Sequence, residues 1–373
     1  NFHQDISKMR LTSELRRVRS DIFWRKDALD YQDFLRKSAL RDTRVARLKW
    51  LLEETLGCPD TFEHRRQELR SLGNPAEDTD VADSFDLAVR PGGVYAEYLV
   101  RAQLAAVIND TLFVHGGVDC DSLFWMPPDS LLFQADETGE VDGRYCKDLT
   151  TWVDELNAFA SRQVRRWLQD EDGLCSDSVP GEALIAYQSR LATCGRSVVA
   201  AGYVQSMNFA SRCFCRESVT LVSDYSCRDC ARVLVSHGIR RVLVGHRPCG
   251  AAPAIFHSNR VGDGRGFEII CADTNYSSTT AADRRGACWV EVIIADRGGC
   301  SQAAIAGSLP HDDSNFEFKL PCCPESAAIQ DFDPFVGTQV PAVSGPSWWV
   351  RAKMVNGLYY LCRSAGVELE HCF

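Results

Sequence analysis

The stretch that most constrains the fold spans residues 111–119, Thr-Leu-Phe-Val-His-Gly-Gly-Val-Asp. A short apolar run that is entered from polar residues and stopped by two glycines is typical of a buried strand. His115 would then lie at the carboxyl end of that strand, where open α/β sheets bind their ligands. The pattern therefore predicts a core strand that delivers a histidine to a ligand-binding edge.

A second stretch ends in the same way. Residues 241–244, Arg-Val-Leu-Val, form a β-branched run that is followed directly by Gly245 and His246. Two strand-end histidines, each beside glycine, could converge on one metal ion or one phosphate group. Two unrelated loop histidines fit the same spacing, so spacing alone leaves both interpretations open.

Three motifs carry a resemblance to a known family. They are Val-His-Gly-Gly at residues 114–117, Gly-His-Arg-Pro at 245–248 and Ala-Asp-Thr-Asn-Tyr-Ser at 272–277. Their order and strand-end setting resemble those of calcineurin-like metallophosphoesterases, including the Ser/Thr protein phosphatases. Further similarity runs from near residue 5 to about residue 362, closest to a poorly characterised microbial and algal branch. Each motif is short, so the ordered set carries the specificity.

The resemblance implies a site with five named residues. His115 and His246 would ligate a divalent metal ion (Mn, Fe or Zn). His3 aligns with the asparagine ligand of the family's Gly-Asn-Arg-Asp turn. Tyr276 resembles the family tyrosine that lies over the phosphate. Arg247 would reach a phosphate oxygen, although a surface arginine fits that position equally well.

The sequence departs from the family pattern at its beginning. The early Asp-x-His and Gly-Asp-x-x-Asp-Arg-Gly motifs are absent, because the chain starts after the place where they would lie, and Gln4 replaces a family histidine or arginine. The residues present therefore support at most one metal site. If the chain is a fragment, we expect the natural protein to be longer by on the order of 60 residues or more.

Three functions remain open at this point. The first is a metal-dependent phosphoester hydrolase of the phosphatase type, or the C-terminal part of one, acting on a phosphoprotein or a small phosphoester. The second is a catalytically degenerate phosphatase fold that serves as a structural subunit among protein partners. The third is a hydrolase with a single metal ion held by His3, His115 and His246. The sequence gives no code for the substrate.

Composition restricts the partners and the compartment. The chain has 41 basic and 51 acidic residues and a net charge of −10, which is unfavourable for general binding to nucleic acids or anionic membranes. No apolar run approaches the roughly 18 residues of a membrane span. The 17 cysteines, an odd number, suit buried thiols in a reducing, intracellular compartment. Cys227 and Cys230 have zinc-ligand spacing, but that spacing also places them on one buried helix face.

The order of the segments predicts an α/β fold. We expect helices over residues 6–19, 45–56, 61–72, 94–107, 149–168 and 227–237, and strands over 219–222, 241–244, 266–271, 288–294 and 303–306. The later strands lack helices between them, which indicates antiparallel pairing. The C-terminus predicts a hairpin that turns at Asn356-Gly357, with residues 358–367 completing a sheet edge.

The resemblance implies that these elements form a metallophosphoesterase-type sandwich of two mixed sheets flanked by helices. On that basis residues 1–108 would be a mainly helical insertion, residues 109–320 the core, and residues 321–373 the strands that complete the fold.

Overall fold

A computed structural model describes residues 28–56, 58–118, 121–129, 143–169, 181, 183–187, 197–199, 227–245, 251–261, 265–274, 288–293, 301–309, 314–321, 333–365 and 368–373. The chain divides into two compact units. The first contains Asn1–Ala102, Phe159–Ile185 and Ser277–Ala281, and the second contains Gln103–Ala158, Ala186–Tyr276 and Ala282–Phe373. The helix predicted over residues 6–19 and the strand predicted over 219–222 lie outside the described residues.

The first unit is helical in its described N-terminal part. Its helices are α1 (Tyr31–Ser38), α2 (Arg44–Trp50), α3 (Thr61–Ser71), α4 (Asp78–Val89) and α5 (Val94–Arg101), with a π-helical turn at Leu51–Thr55. Local capping defines where they begin: Asp30 accepts a bond from the Asp33 amide at 2.8 Å, and Thr43 accepts one from the Ala46 amide at 3.1 Å. Such caps satisfy amides that the helix itself leaves unpaired.

One predicted helix is shorter than expected. The prediction ran to Val107, but α5 ends at Arg101 because Ala102 adopts an extended conformation with ψ of 145°. Ala105–Ile108 instead forms a strand that pairs with Thr111–Val114. Pairing with a neighbouring strand outweighs the helix propensity of this alanine-rich segment.

Ion pairs connect the helices of the first unit. Asp78 accepts a bond from Lys49 Nζ at 2.7 Å and also bonds Arg66. The cations of Lys49 and Arg66 lie over the Phe62 ring, at 4.6 and 5.3 Å from its centroid. Residues from α2, α3 and the start of α4 therefore share one cluster.

Two further helices were predicted correctly. They are α6 (Leu149–Gln169) and α7 (Cys227–Ser236), and residues 183–187 are also helical. The predicted apolar face of α6 is buried, with exposures of 0% to 2% at Trp152, Leu156, Phe159 and Val164. No described helix is long and apolar enough to cross a membrane.

The second unit contains the described strands. They are β1 (Ala105–Ile108), β2 (Thr111–Val114), β3 (Trp125–Met126), β4 (Arg144–Tyr145), β5 (Arg241–Val244), β6 (Ala254–Val261), β7 (Arg265–Cys271), β8 (Cys288–Ile293), β9 (Gln302–Ser308), β10 (Asn315–Pro321), β11 (Gln339–Val340), β12 (Trp348–Lys353), β13 (Tyr359–Ala365) and β14 (Glu368–Cys372). Together with the helices they confirm a mixed α/β fold.

The main sheet has the order β1-β2-β5-β7-β6. Its three central strands, β2, β5 and β7, are parallel, and the two outer strands pair antiparallel. The central strands are largely buried, as Leu112, Val242 and Ile270 show with exposures of 0% to 2%. Parallel strands of this kind end at a common carboxyl edge.

A buried polar cluster holds this sheet to the start of β9. Arg241 is fully buried and pairs with Glu268, and it donates to Ser301 Oγ at 2.9 Å. Asp110 accepts bonds from the amide of Ser301, at 3.1 Å, and from its hydroxyl. The cluster thus connects residues that are 190 positions apart in sequence, such as Thr111 and Ser301.

Apart from the two-stranded β3-β4 sheet, the remaining strands form two antiparallel sheets, β10-β9-β8 and β11-β12-β13-β14. An antiparallel bridge between Phe316 and Met354 joins them. The Phe256 ring of the main sheet meets Trp349 of β12 edge to face, with 5.3 Å between ring centroids. The main sheet and the β11–β14 sheet therefore contact each other through apolar side chains.

The antiparallel pairing predicted for the later strands is confirmed for β8 with β9, whereas β7 pairs parallel with β5 and antiparallel with β6. The predicted turn at Asn356-Gly357 is also present, with Gly357 at φ 89°, a conformation that glycine adopts without steric cost. The predicted edge position of residues 358–367 is wrong. β13 is an inner strand because β14, which the sequence reading missed, pairs along its other side.

Candidate functional site

His115 follows the last residue of β2. Leu112 and Val114 of that strand are buried, whereas His115 is exposed. The chain then turns: the Gly116 amide donates to the Val198 carbonyl at 2.7 Å, and Gly117 has φ 144°, which favours glycine over other residues. The strand and the turn together hold His115 at the carboxyl edge of the sheet, as the sequence pattern predicts.

The ends of the three parallel strands lie next to one another. The Gly245 amide, just after β5, donates to the His115 carbonyl at 2.8 Å, and the Ala272 amide, just after β7, donates to the Val244 carbonyl at 2.9 Å. Residues 115, 245 and 272 are therefore neighbours across the sheet edge. Asp273 follows Ala272 and is partly exposed.

The environment of His115 favours a neutral ring. Removal of water by the surrounding protein lowers the pKa of His115 to about 4. Its exposed surface weakens this desolvation, but an ordinary histidine pKa of about 6.5 already leaves most rings neutral at pH 7. On either ground His115 is a neutral imidazole at neutral pH, and this is the form that binds metal ions.

Of the five predicted site residues, His115 alone falls within the described part of the chain. His3, His246, Arg247 and Tyr276 lie outside it, so their roles stay predictions. Within the described ranges, no three His, Cys, Asp or Glu side chains are grouped closely enough to hold a metal ion.

The cysteine pair can be followed at one of its two positions. Cys230 is buried in α7, and its thiol lies 3.9 Å from the Val118 carbonyl. This contact fits the buried-thiol interpretation of Cys230. The cysteines whose side chains the structure describes form no disulfide bonds, at positions 58, 146, 230, 271, 362 and 372.

A tyrosine that positions the His115 turn was missed at the sequence level. The Tyr187 hydroxyl accepts a hydrogen bond from the Val198 amide at 3.1 Å. The Val198 carbonyl in turn accepts the bond from the Gly116 amide. Tyr187 is fully buried and stacks on Trp125, with 6.4 Å between ring centroids. No residue pattern identifies a side-chain bond to one particular backbone amide, so the sequence did not reveal this contact.

Comparison with models of known protein families, with curated proteins and with solved structures finds no match for this chain.

Proposed function

We propose that this chain is a metal-dependent phosphoester hydrolase, or the C-terminal part of one. The observation that carries the proposal is the hydrogen bond from the Gly245 amide to the His115 carbonyl. It places Gly245, the residue that precedes His246 in the chain, beside His115. The ends of β2 and β5 are thus at one sheet edge, as a site shared by the two histidines requires.

The strand arrangement adds support for a metallophosphoesterase-type sandwich. The main sheet is mixed, with three parallel strands at its centre. The β8–β10 and β11–β14 sheets are joined by the Phe316–Met354 bridge, and the β11–β14 sheet contacts the main sheet through Trp349 and Phe256. Two such layers with helices in the same chain fit the architecture that the resemblance implies.

The proposed chemistry requires few protein groups. His115 and His246, with His3, would hold one divalent ion (Mn, Fe or Zn) through neutral imidazoles. When bound, such an ion neutralises phosphoryl charge and makes a hydroxide available near neutral pH. Tyr276 would cover the phosphate, and Arg247 would hold one of its oxygens. The substrate would be a phosphoprotein or a small phosphoester.

The test is a matched pair of histidine variants. We expect the purified chain with Mn²⁺ to hydrolyse p-nitrophenyl phosphate or a phosphoserine peptide, and His115→Ala to abolish that turnover and to lower the bound metal measured by mass spectrometry. The control is His237→Ala, the same substitution at a histidine just after α7. His237 precedes the first residue of β5, whereas the proposed site follows the last residue of that strand. The His237→Ala variant should keep both turnover and metal.

Two outcomes would reject the proposal. Equal turnover by wild type and His115→Ala would place the chemistry elsewhere. A wild-type chain that binds no Mn²⁺, Fe²⁺ or Zn²⁺ and hydrolyses neither substrate would favour the structural-subunit alternative. The number of metal ions per chain separates the remaining cases, because a value near one fits the residues present, whereas a value near two would need ligands beyond them.

A further inference from the structure

The β8–β9–β10 sheet has a solvent-facing row in which one position is small. Across these strands Trp289 pairs with Ala306, and Ala306 pairs with Glu317. Trp289 is 52% exposed, Glu317 is exposed, and Ala306 is partly exposed. Directly paired residues point to the same face of a sheet, so the row reads tryptophan, alanine, carboxylate.

The same protein contains a row of the same kind in which the middle position is filled. In the β11–β14 sheet, the Arg363 guanidinium carbon lies 4.4 Å from the centre of the Trp348 ring, and Arg363 Nε donates to Glu370 at 2.6 Å. Arg363 pairs directly with Glu370. This row reads tryptophan, arginine, carboxylate, and the arginine stacks on the indole while it bonds the acid.

The short alanine leaves a groove between the two outer members of the first row. The groove has a volume of about 400 Å³, and Trp289, Ala306 and Glu317 are among the residues that line it. Trp289 and Glu317 lie two strand spacings apart, or roughly 9–10 Å. That width suits a planar cation stacked on the indole and bonded to the carboxylate, as Arg363 is in the filled row.

Neither outer member of the row has a partner within the part of the chain that the structure describes. No ion pair or hydrogen bond of the Glu317 carboxylate occurs there, and the Trp289 ring contacts no other ring or cation. The next row on this face contains Glu291, Ala304 and Lys319, so it carries one charge of each sign. The Glu317 row thus has a carboxylate beside an exposed aromatic side chain and no cation of its own.

We propose that this groove, formed by Trp289, Ala306 and Glu317, binds an arginine side chain of a partner polypeptide. Stacking on tryptophan and a carboxylate partner are the two interactions that arginine combines best. The net charge of −10 favours the approach of a basic segment. This inference does not rest on the proposed hydrolase function.

The experiment uses the peptide acetyl-Gly-Arg-Gly-amide as the probe and ¹⁵N-labelled protein. The indole N–H signal of Trp289 is assigned by its loss in Trp289→Phe, and that of Trp348 by its loss in Trp348→Phe. We expect the peptide to shift the Trp289 signal saturably and to leave the Trp348 signal in place. The same peptide with citrulline, which keeps the shape of arginine but lacks its charge, should not shift the Trp289 signal.

Variants test each member of the row. Glu317→Gln should lower the affinity for the arginine peptide by about threefold to fivefold, which is the effect of losing a charged hydrogen bond at an exposed site. Glu291→Gln removes the same charge from the neighbouring row and should change the affinity by less than about twofold. Ala306→Arg should fill the groove from within, so that added peptide no longer shifts the Trp289 signal.

Several results would overturn the proposal. Equal binding of the citrulline peptide would show that the groove does not recognise charge. Equal weakening by Glu291→Gln and Glu317→Gln would show attraction to the whole acidic face. No shift of the Trp289 signal with the arginine peptide at about 10 mM would leave the groove without the proposed ligand, since a contact of this type should be detectable at that concentration. Unchanged signals of the other tryptophans verify that each variant is folded.

Discussion

Replacing Glu268 by methionine should destabilise the strand-rich unit by about 3–5 kcal/mol, because it leaves the charge of Arg241 buried without its carboxylate. Arg241 is 0% exposed and Glu268 is 1% exposed. Water cannot solvate the guanidinium there unless the sheet opens. For comparison, a whole domain is typically stable by about 5–15 kcal/mol.

The groups around the Arg241–Glu268 pair determine where in this range the cost of Glu268→Met should lie. Arg241 keeps its bonds to the hydroxyl and carbonyl of Ser301, at 2.9 and 3.4 Å. Ser301 is in turn bonded to the Asp110 carboxylate, so a second negative charge stays close to the guanidinium. We therefore expect a cost nearer to 3 than to 5 kcal/mol. The double variant Arg241→Met/Glu268→Met should cost less than the sum of the single variants, because it removes both buried charges together.

Urea unfolding followed by tryptophan fluorescence gives the free energies of a double-mutant cycle. The control is Glu155→Met, which breaks the ion pair between Glu155 and Arg144. The Glu155 side chain is 37% exposed and the Arg144 side chain is 62% exposed. That variant should lose no more than about 1 kcal/mol. A cost below about 1 kcal/mol for Glu268→Met, or additive costs in the double variant, would refute the view that the pair acts as one buried unit.

Two further predictions concern the helical unit. The pKa of Asp78 is lowered by hydrogen bonds from Lys49 and Arg66, so its carboxylate stabilises the fold above the unfolded pKa of about 3.9, and this contribution is lost as the pH falls through the lower folded value. Asp78→Asn should therefore melt below wild type at pH 7 in calorimetry, and the difference should shrink below about pH 4; a difference that stays constant with pH would contradict this. A Cβ at Gly93 would lie 2.2 Å from the Leu87 carbonyl oxygen, so Gly93→Ala should cost about 2–3 kcal/mol in denaturant unfolding, and a neutral result would show that the backbone yields there.

Local sequence signals predicted the elements that local physics determines. The helix at Leu149–Gln169 and the strand at Arg241–Val244 have clear periodicity or β-branched content, and their bounds match the predictions closely. The error at Ala105–Ile108 has a different origin. Its two alanines favour a helix, whereas Val107 and Ile108 favour a strand, and pairing with β2 decides between them. Because β2 begins only three residues later and was itself predicted, the hairpin across Asn109-Asp110, with Asn109 at φ 54°, could have been predicted from the sequence.

The sequence likewise predicts some features of the candidate site and not others. That His115 ends a strand was readable from the apolar run and the glycines. That its strand pairs with β5 was not, because the pairing joins residues 130 positions apart, as in Thr111 with Arg241. The support of the turn by Tyr187 depends on a bond to a single backbone amide, for which no residue pattern exists.

The register of the parallel strands sets a condition on the two proposed histidine ligands. Each β2 residue pairs with the β5 residue 130 positions later, whereas the two histidines are 131 positions apart. Continued strand geometry would therefore send the side chain of His246 to the face opposite that of His115. The bond from the Gly245 amide to the His115 carbonyl is the last ladder bond that the structure describes between these strands, and β5 itself ends at Val244. One shared ion therefore requires that the chain leave strand geometry after Gly245, so that both imidazoles can face the same ion.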